Sequence, residues 1–247
     1  MEAIHFEKTN IQEFNELNAS LNYMTGKMYA DYVNMKEFTE NAAHEMQTPV
    51  AVVLSKLELL LQDDNLKDEQ VQSILESTTA LSRLSKLNEG LLLLAKIGNN
   101  QYETTEEIDL AELTKKYLHL FDEFIKEKQL NVKTNFQGNF IINLHPGIAG
   151  SLISNLLGNA IKYNYNGGTI EMTISKSDYH ISNTSMENPI ESEKLFTRLR
   201  VSGEGREPSN GLGLAIVKKI IDVNNLLIAY NAKNGIQTFD SLRNIPA

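Results

Sequence analysis

The chain has 247 residues and a formal net charge of −9, with 23 Lys+Arg against 32 Asp+Glu. That length accommodates about two domains, and the acidic balance argues against a nucleic-acid-binding surface, which needs cations to displace phosphate counterions. Cysteine is absent, which excludes disulfides, thiol catalysis and thiolate zinc sites; no apolar run of about 18 residues could span a bilayer, and the opening MEAIHFEKTN lacks the basic-then-apolar order of a secretion signal.

In chain order, residues 1–33 read as a helical lead-in, with Phe14, Leu17, Leu21 and Met24 at steps of three and four. A second helical pattern covers 34–62, where Val50, Leu54, Leu57 and Leu61 form a coiled-coil-like seam. The polar stretch from Gln62 to Asp68 reads as a turn. A third helix follows, with Val71, Ile74, Thr78, Leu81, Leu84, Leu87, Leu91 and Leu94 on one side. The spacing predicts an antiparallel helical hairpin. The run Leu91–Leu94 is wider than one partner helix covers, so the expectation is a homodimer whose two hairpins form a four-helix bundle.

Gly98-Asn99-Asn100 ends the third helix, and from about residue 104 short strands alternate with helices. Asp109 and Glu112 fit an N-cap and its third helical residue, opening a helix to about Lys128. Strands are expected at 130–136 and 140–144. Pro146 starts a helix running to about Tyr163. Asn166-Gly167-Gly168 turns into a strand at 169–175, and 179–183 reads as another. Residues 200–210 read as a mobile loop, 214–224 as a helix, and the tail as two strands around Asn234-Gly235. The expected organisation is a lead-in (1–33), a helical dimerisation domain (34–100) and an α+β domain (101–247).

Three groups of residues could carry chemistry. In His44-Glu45-Met46-Gln47-Thr48-Pro49, proline removes a backbone donor and clashes with the carbonyl of Glu45, so the helix should bend one turn after the histidine. His44 neighbours the seam position Ala43 and should sit on the flank, with Thr48 one turn on and able to hold a water near the ring. The same residues also fit a solvated histidine beside a harmless kink. Next, Asn155, Asn159 and Lys162 fall at i, i+4 and i+7, a polar stripe opposite Leu152, Leu156, Leu157, Ala160 and Ile161. An amide oxygen is a neutral hard ligand suited to Mg²⁺ that also holds triphosphate, and lysine is a point charge for phosphate; a solvent-exposed polar face is the alternative. Third, Gly211, Leu212, Gly213 and Leu214 open an apolar helix. Glycines there let backbone approach an anion, although a lone G-x-G could be only a tight turn.

In this order the motifs strongly resemble the transmitter core of sensor histidine kinases of two-component systems, over residues 34–247. The specific matches are an H-box (FTENAAHEMQTPVA), an N-box (NLLGNAIKYN), a degenerate F-box (LFTRLR) and a second glycine box (GLGLAIVKKI). The resemblance implies a Bergerat-type α/β sandwich that binds ATP, with 198–212 as its lid. It implies that the γ-phosphoryl passes to a ring nitrogen of His44 and then to an aspartate of a response-regulator receiver domain. By the same resemblance Glu45 orients and polarises the imidazole, and Thr48 positions water for dephosphorylating the regulator. Asn159 would ligate Mg²⁺, Asn155 and Lys162 would support the phosphates, and Tyr163, Asn183, Arg198, Gly211, Leu212, Gly213 and Leu214 would complete the nucleotide site. Nucleic acid is not an expected partner. The family context implies the cytoplasmic portion of an inner-membrane sensor, with membrane segments outside this chain.

Chemistry fits that assignment. Phosphoryl transfer needs in-line positioning and charge neutralisation, and neutral imidazole is available as a nucleophile at cellular pH. Related ATPases carry a water-activating glutamate at the position of Asn155. An amide cannot act as that base, so weak ATP hydrolysis is expected. The sequence departs from the family where the first glycine box has Asp-x-Gly. Here Asn183 and Ser185 stand in Ile181-Ser-Asn183-Thr-Ser185. A catalytically impaired dimeric scaffold is the alternative these departures support. A Bergerat-fold ATPase outside signalling is a third reading, disfavoured by Asn155.

Overall fold

The computed structural model describes residues 6–7, 9–99, 101–102, 104–186, 211–233 and 235–244, without the side chains of 39–40, 43–44 and 240–244. Long helical patterns dominate the first third. Helix α1 (Gln12–Leu60) is a single 49-residue helix, so the lead-in and the seam expected as two patterns join without a break. Pro49 lies inside it. The turn at 61–67 is organised by Asp63, whose Oδ1 accepts from the backbone N–H and side-chain amide of Asn65, each at 2.9 Å. Those bonds hold the Asp63 carboxyl below its ordinary pKa. Helix α2 (Asp68–Gly98) follows and ends at the expected glycine.

The chain divides into two compact units, Met1–Thr78 and Thr79–Ala247. In the first unit no described side chain caps the start of α1, whose N-cap is Ile11. Three asparagines on one face, Asn15, Asn18 and Asn22, instead bond to the backbone of Phe6, Glu7 and Thr9 before it. Asn22 Oδ1 accepts from Phe6 N (2.7 Å) and its Nδ2 donates to Phe6 O (2.9 Å). Asn15 makes the same pair with Thr9 (2.7 and 2.8 Å), and Asn18 donates to Glu7 O (2.7 Å).

The second unit is a layer of helices on a mixed sheet. Its elements are β1 (Glu106–Asp109), α3 (Leu110–Leu120), α4 (Asp122–Glu127), β2 (Asn131–Phe136), β3 (Ile141–Leu144), α5 (Pro146–Lys162), β4 (Thr169–Ile174), β5 (Tyr179–Thr184), α6 (Gly213–Val223), β6 (Leu226–Lys233) and β7 (Ile236–Asn244). The five-stranded sheet has order β2-β4-β5-β7-β6, with β2 parallel to β4 and the remaining pairs antiparallel. Strands β1 and β3 form a separate antiparallel pair. Period-two alternation fixes the inner face: Ile170, Met172 and Ile174 of β4 pair with Asn183, Ile181 and Tyr179 of β5, and all six are buried. Helix α5 packs on β5 and against α3 and α6.

The last turns of α2 belong to this unit. Leu94 and Ile97 are 4% and 1% exposed within its core, and Leu87 and Leu93 pack against it. Part of the leucine stripe expected to need a second copy is therefore covered by the α/β unit, while Leu91 remains 40% exposed. The expected helix from Asp109 to Lys128 is two helices, interrupted at Phe121. Asp109 does cap, accepting from Ala111 N at 2.9 Å. Glu112 does not close a capping box; it pairs with Lys115 Nζ at 2.6 Å.

Candidate active site

Helix α5 carries the asparagine stripe, and both its ends are pinned. Pro146 occupies its first turn, and His145 caps it by accepting from Gly147 N through Nδ1 at 3.1 Å. At the other end Lys128 Nζ donates to the carbonyls of Lys162 (2.9 Å), Ile161 (3.1 Å) and Asn164 (3.5 Å), satisfying acceptors that a helix end leaves open. Buried Asn164 locks the exit: its Oδ1 accepts from Thr184 Oγ1 (2.6 Å) and Tyr165 N (3.1 Å), and its Nδ2 donates to Thr169 O (3.1 Å). Gly167 supplies the left-handed backbone that the turn requires (φ 79°). Lys128 and Asn164 carry no sequence signal for these tasks, because each reaches across a loop or to another element, and His145 carries none because imidazole is not among the usual N-cap side chains.

The apolar side of α5 is buried as its periodicity predicts: Leu152, Leu156, Leu157, Ala160 and Ile161 are at most 6% exposed. The stripe on the other side is half-buried rather than solvated. Asn155 Nδ2 donates to Ser151 O at 2.7 Å. The Nδ2 of Asn159 is buried and has no hydrogen-bond partner among the described residues. An unpartnered buried amide costs about 1–3 kcal/mol, so this donor is suited to a ligand that enters beside the stripe. Lys162 and Tyr163 form the last turn and C-cap, and Tyr163 N donates to Asn159 O at 3.0 Å.

The glycine box stands beside this stripe. Gly211 is left-handed (φ 62°), and Leu212 is 2% exposed. Gly213 begins α6 against Asn155, where a Cβ would lie 2.7 Å from Asn155 Oδ1. Leu214 is half-buried in the first turn. No described side chain caps α6, and the first N–H groups of a helix, with the positive end of its dipole, favour an anion. Asn183 lies on the helix-facing side of the sheet, 3% exposed, and its Nδ2 donates to Thr184 O at 2.9 Å; the amide oxygen keeps two lone pairs for a donor. Ser185 brings no backbone strain, since the only non-glycine residues of positive φ among those described are Gln129 and Asn225. It extends the β5–β7 pairing through Ser185 N to Gly235 O (2.7 Å), and its hydroxyl accepts from Gln237 Nε2 (3.1 Å). Arg198, the F-box and the lid to residue 210 lie outside the described residues.

In the first unit His44 belongs to the backbone of α1, and its side chain lies outside the described residues. Glu45 and Thr48 are exposed on the same helix, one residue and one turn beyond it. Among the described residues no group of three or more His, Asp or Glu forms a metal cluster, and no helix is long and apolar enough to cross a membrane.

The family model of the His Kinase A (phospho-acceptor) domain matches residues 34–100. That of the histidine kinase-, DNA gyrase B-, and HSP90-like ATPase matches residues 147–239. The chain belongs to the sensor histidine kinases. It carries their transmitter core, a helical phospho-acceptor region followed by an α/β ATPase domain. Among curated relatives, heme sensor protein HssS of Staphylococcus saprophyticus is 31% identical over 213 residues, 83% of this chain and 45% of HssS. Sensor histidine kinase CusS of Escherichia coli is 27% identical over 220 residues, 85% of this chain and 45% of CusS. The chain thus spans about half the length of these curated relatives. The fold is shared with full-length ShkA, crystallised with AMPPNP (TM-score 0.63, 21% identity, 85% of this chain and 46% of ShkA). It is shared too with the histidine kinase AdeS of Acinetobacter baumannii (TM-score 0.55, 21% identity, 81% of this chain and 98% of AdeS).

Proposed function

We propose that this histidine kinase core phosphorylates itself on His44 from ATP and passes the phosphoryl group to an aspartate of a response regulator. The observation that carries the nucleotide part is Asn159, whose buried Nδ2 has no hydrogen-bond partner among the described residues, on the helix face whose Asn155 lies against the glycine box. That face offers neutral hard donors, a helix N-terminus that no described side chain caps and Lys162, a set suited to triphosphate and Mg²⁺. Asn159 would hold the ion together with phosphate oxygens, since no described acidic cluster could hold it alone. The ion, when bound, supplies neutralisation of the phosphate charge. Asn183 would accept from a donor on the purine, and Tyr163, Arg198 and Gly211–Leu214 would line the remainder.

In the transfer a ring nitrogen of His44 forms a bond to the γ-phosphorus while the bond to the β,γ-bridging oxygen breaks and ADP leaves. Glu45 orients the imidazole and favours loss of its proton. Asn155 cannot activate water, so the phosphoryl group is reserved for histidine. Thr48, exposed one turn beyond His44, serves the reverse task of placing water for dephosphorylating the regulator. In this reading 34–100 is the dimerisation and phosphotransfer domain of a homodimer, 101–247 the catalytic domain, and 1–33 the lead-in. The core works at the cytoplasmic face of an inner membrane, attached through other segments. The alternative of an impaired scaffold rests on Asn183 and Ser185, and the unstrained backbone at Ser185 weakens it. Titration calorimetry with a non-hydrolysable ATP analogue and Mg²⁺ tests the nucleotide site. Asn159→Ala should lose about tenfold or more in affinity, the worth of a bond to a charged group. Equal binding by wild type and Asn159→Ala would contradict the assignment.

A further inference from the structure

Helix α2 carries a glycine, Gly90, well inside its length. An interior helical glycine costs about 0.5–1 kcal/mol relative to alanine, so its presence asks for a geometric reason. Gly90 is buried, and a Cβ there would lie 2.9 Å from Leu212 Cδ1, 3.5 Å from Leu212 Cβ and 3.6 Å from Ile216 Cδ1. Leu212 is 2% exposed, so its side chain has no solvent to swing into. One residue on, Gly213 meets Asn155 Oδ1 just as closely, at 2.7 Å from its missing Cβ. Two absent side chains therefore let Leu212 and Gly213 fit between α2 on one side and the asparagine helix on the other.

We propose that Gly90 is a positioning residue for the nucleotide site: its notch in α2 seats Leu212, and that seat holds the glycine box against Asn155. The inference rests on the nucleotide reading given above, but the seat is a separate physical claim. It makes the glycine box sensitive to the last turns of α2, through the chain Gly90, Leu212, Gly213, Asn155. A residue needed only for packing would change stability and affinity together. A seat separates them, because the better helix propensity of alanine at position 90 offsets part of the packing cost in stability but not the displacement of Leu212.

The test uses the whole chain and three variants, Gly90→Ala, Gly90→Leu and Leu212→Ala, with the double variant Gly90→Ala/Leu212→Ala. Calorimetry with a non-hydrolysable ATP analogue and Mg²⁺ is paired with thermal unfolding. Gly90→Ala should weaken binding about threefold, and Gly90→Leu about tenfold or more, with the loss of affinity in each larger than its fall in unfolding midpoint accounts for. Adding Leu212→Ala to Gly90→Ala should cost nothing beyond Leu212→Ala alone, the non-additivity of two groups that share one space. Unchanged affinity in both Gly90 variants, additive effects, or affinity that falls only in step with the unfolding midpoint would overturn the seat. If the wild-type chain binds no analogue, the nucleotide reading fails. The seat is then judged by amide exchange at Ile216, whose N–H donates to Leu212 O at 2.8 Å: faster exchange in Gly90→Leu sustains it, and an unchanged rate removes it.

Discussion

Gly168 is the residue at which the packing is least forgiving. A Cβ there would overlap Asn164 Oδ1 and stand 2.5 Å from Thr184 Oγ1, the two atoms whose bond joins the exit of α5 to β5. Gly168→Ala should therefore destabilise the α/β unit by about 2–3 kcal/mol, read as a lower urea midpoint; an unchanged midpoint would show that the lock is dispensable. The sequence points to a turn at Asn166-Gly167-Gly168 but not to this lock, since Thr184 is distant in the chain. Tyr179 offers a pH test. Burial pushes its phenol up to about 12, opposed by the Thr114 hydroxyl. Between about pH 10 and 12 the unfolded chain loses this proton first, so it binds fewer protons than the native state and stability falls as pH rises. The slope from this group is about 1.4 kcal/mol per pH unit. Tyr179→Phe should flatten that alkaline loss in urea titrations, and an identical slope would refute the account. Asn159 and Asn155 were legible as a stripe, because their spacing alone puts them on one face; the unpartnered amide of Asn159 was not, because burial depends on what stands opposite.

At the scale of elements, α5 was readable at both ends from Pro146 and from the turn after Tyr163, while the groups that hold those ends were not. Lys128 reaches its carbonyls from another helix, and no local pattern encodes that. Lys128→Met keeps the aliphatic stem and removes the donor; it should cost about 1–2 kcal/mol and speed amide exchange at Tyr163, whereas unaltered exchange would mean that the capping bonds contribute nothing. Helix α3 ends at Phe121 although the sequence pattern runs on, and β1 escaped prediction because a short polar strand owes its pairing, here with β3, to tertiary context. In α1 the asparagine ladder is a second case of backbone bonds supplied by side chains. Hydrogen exchange should find the amides of Phe6 and Thr9 protected by Asn22 and Asn15, with protection lost selectively in Asn22→Ala and Asn15→Ala; equal exchange in wild type and variants would deny the ladder.

On the scale of the whole molecule, the class of fold was legible because helical seams and alternating strands occupy separate stretches of chain. Where the α/β unit begins was less so. A leucine stripe looks the same whether it faces a second copy or a sheet-backed core, and the structure assigns Leu94 and Ile97 to the core. Burying two such side chains contributes about 3–6 kcal/mol. A fragment starting at residue 79 should accordingly unfold at higher urea than one starting at 101; equal midpoints would show that the end of α2 adds nothing. The central claim concerns phosphoryl transfer, and incubation of the whole chain with γ-labelled ATP and Mg²⁺ tests it most directly. Label that is acid-labile, alkali-stable and lost in His44→Ala is the result expected here; a folded wild-type chain that takes up no label, or a His44→Ala chain labelled as well as wild type, would contradict it.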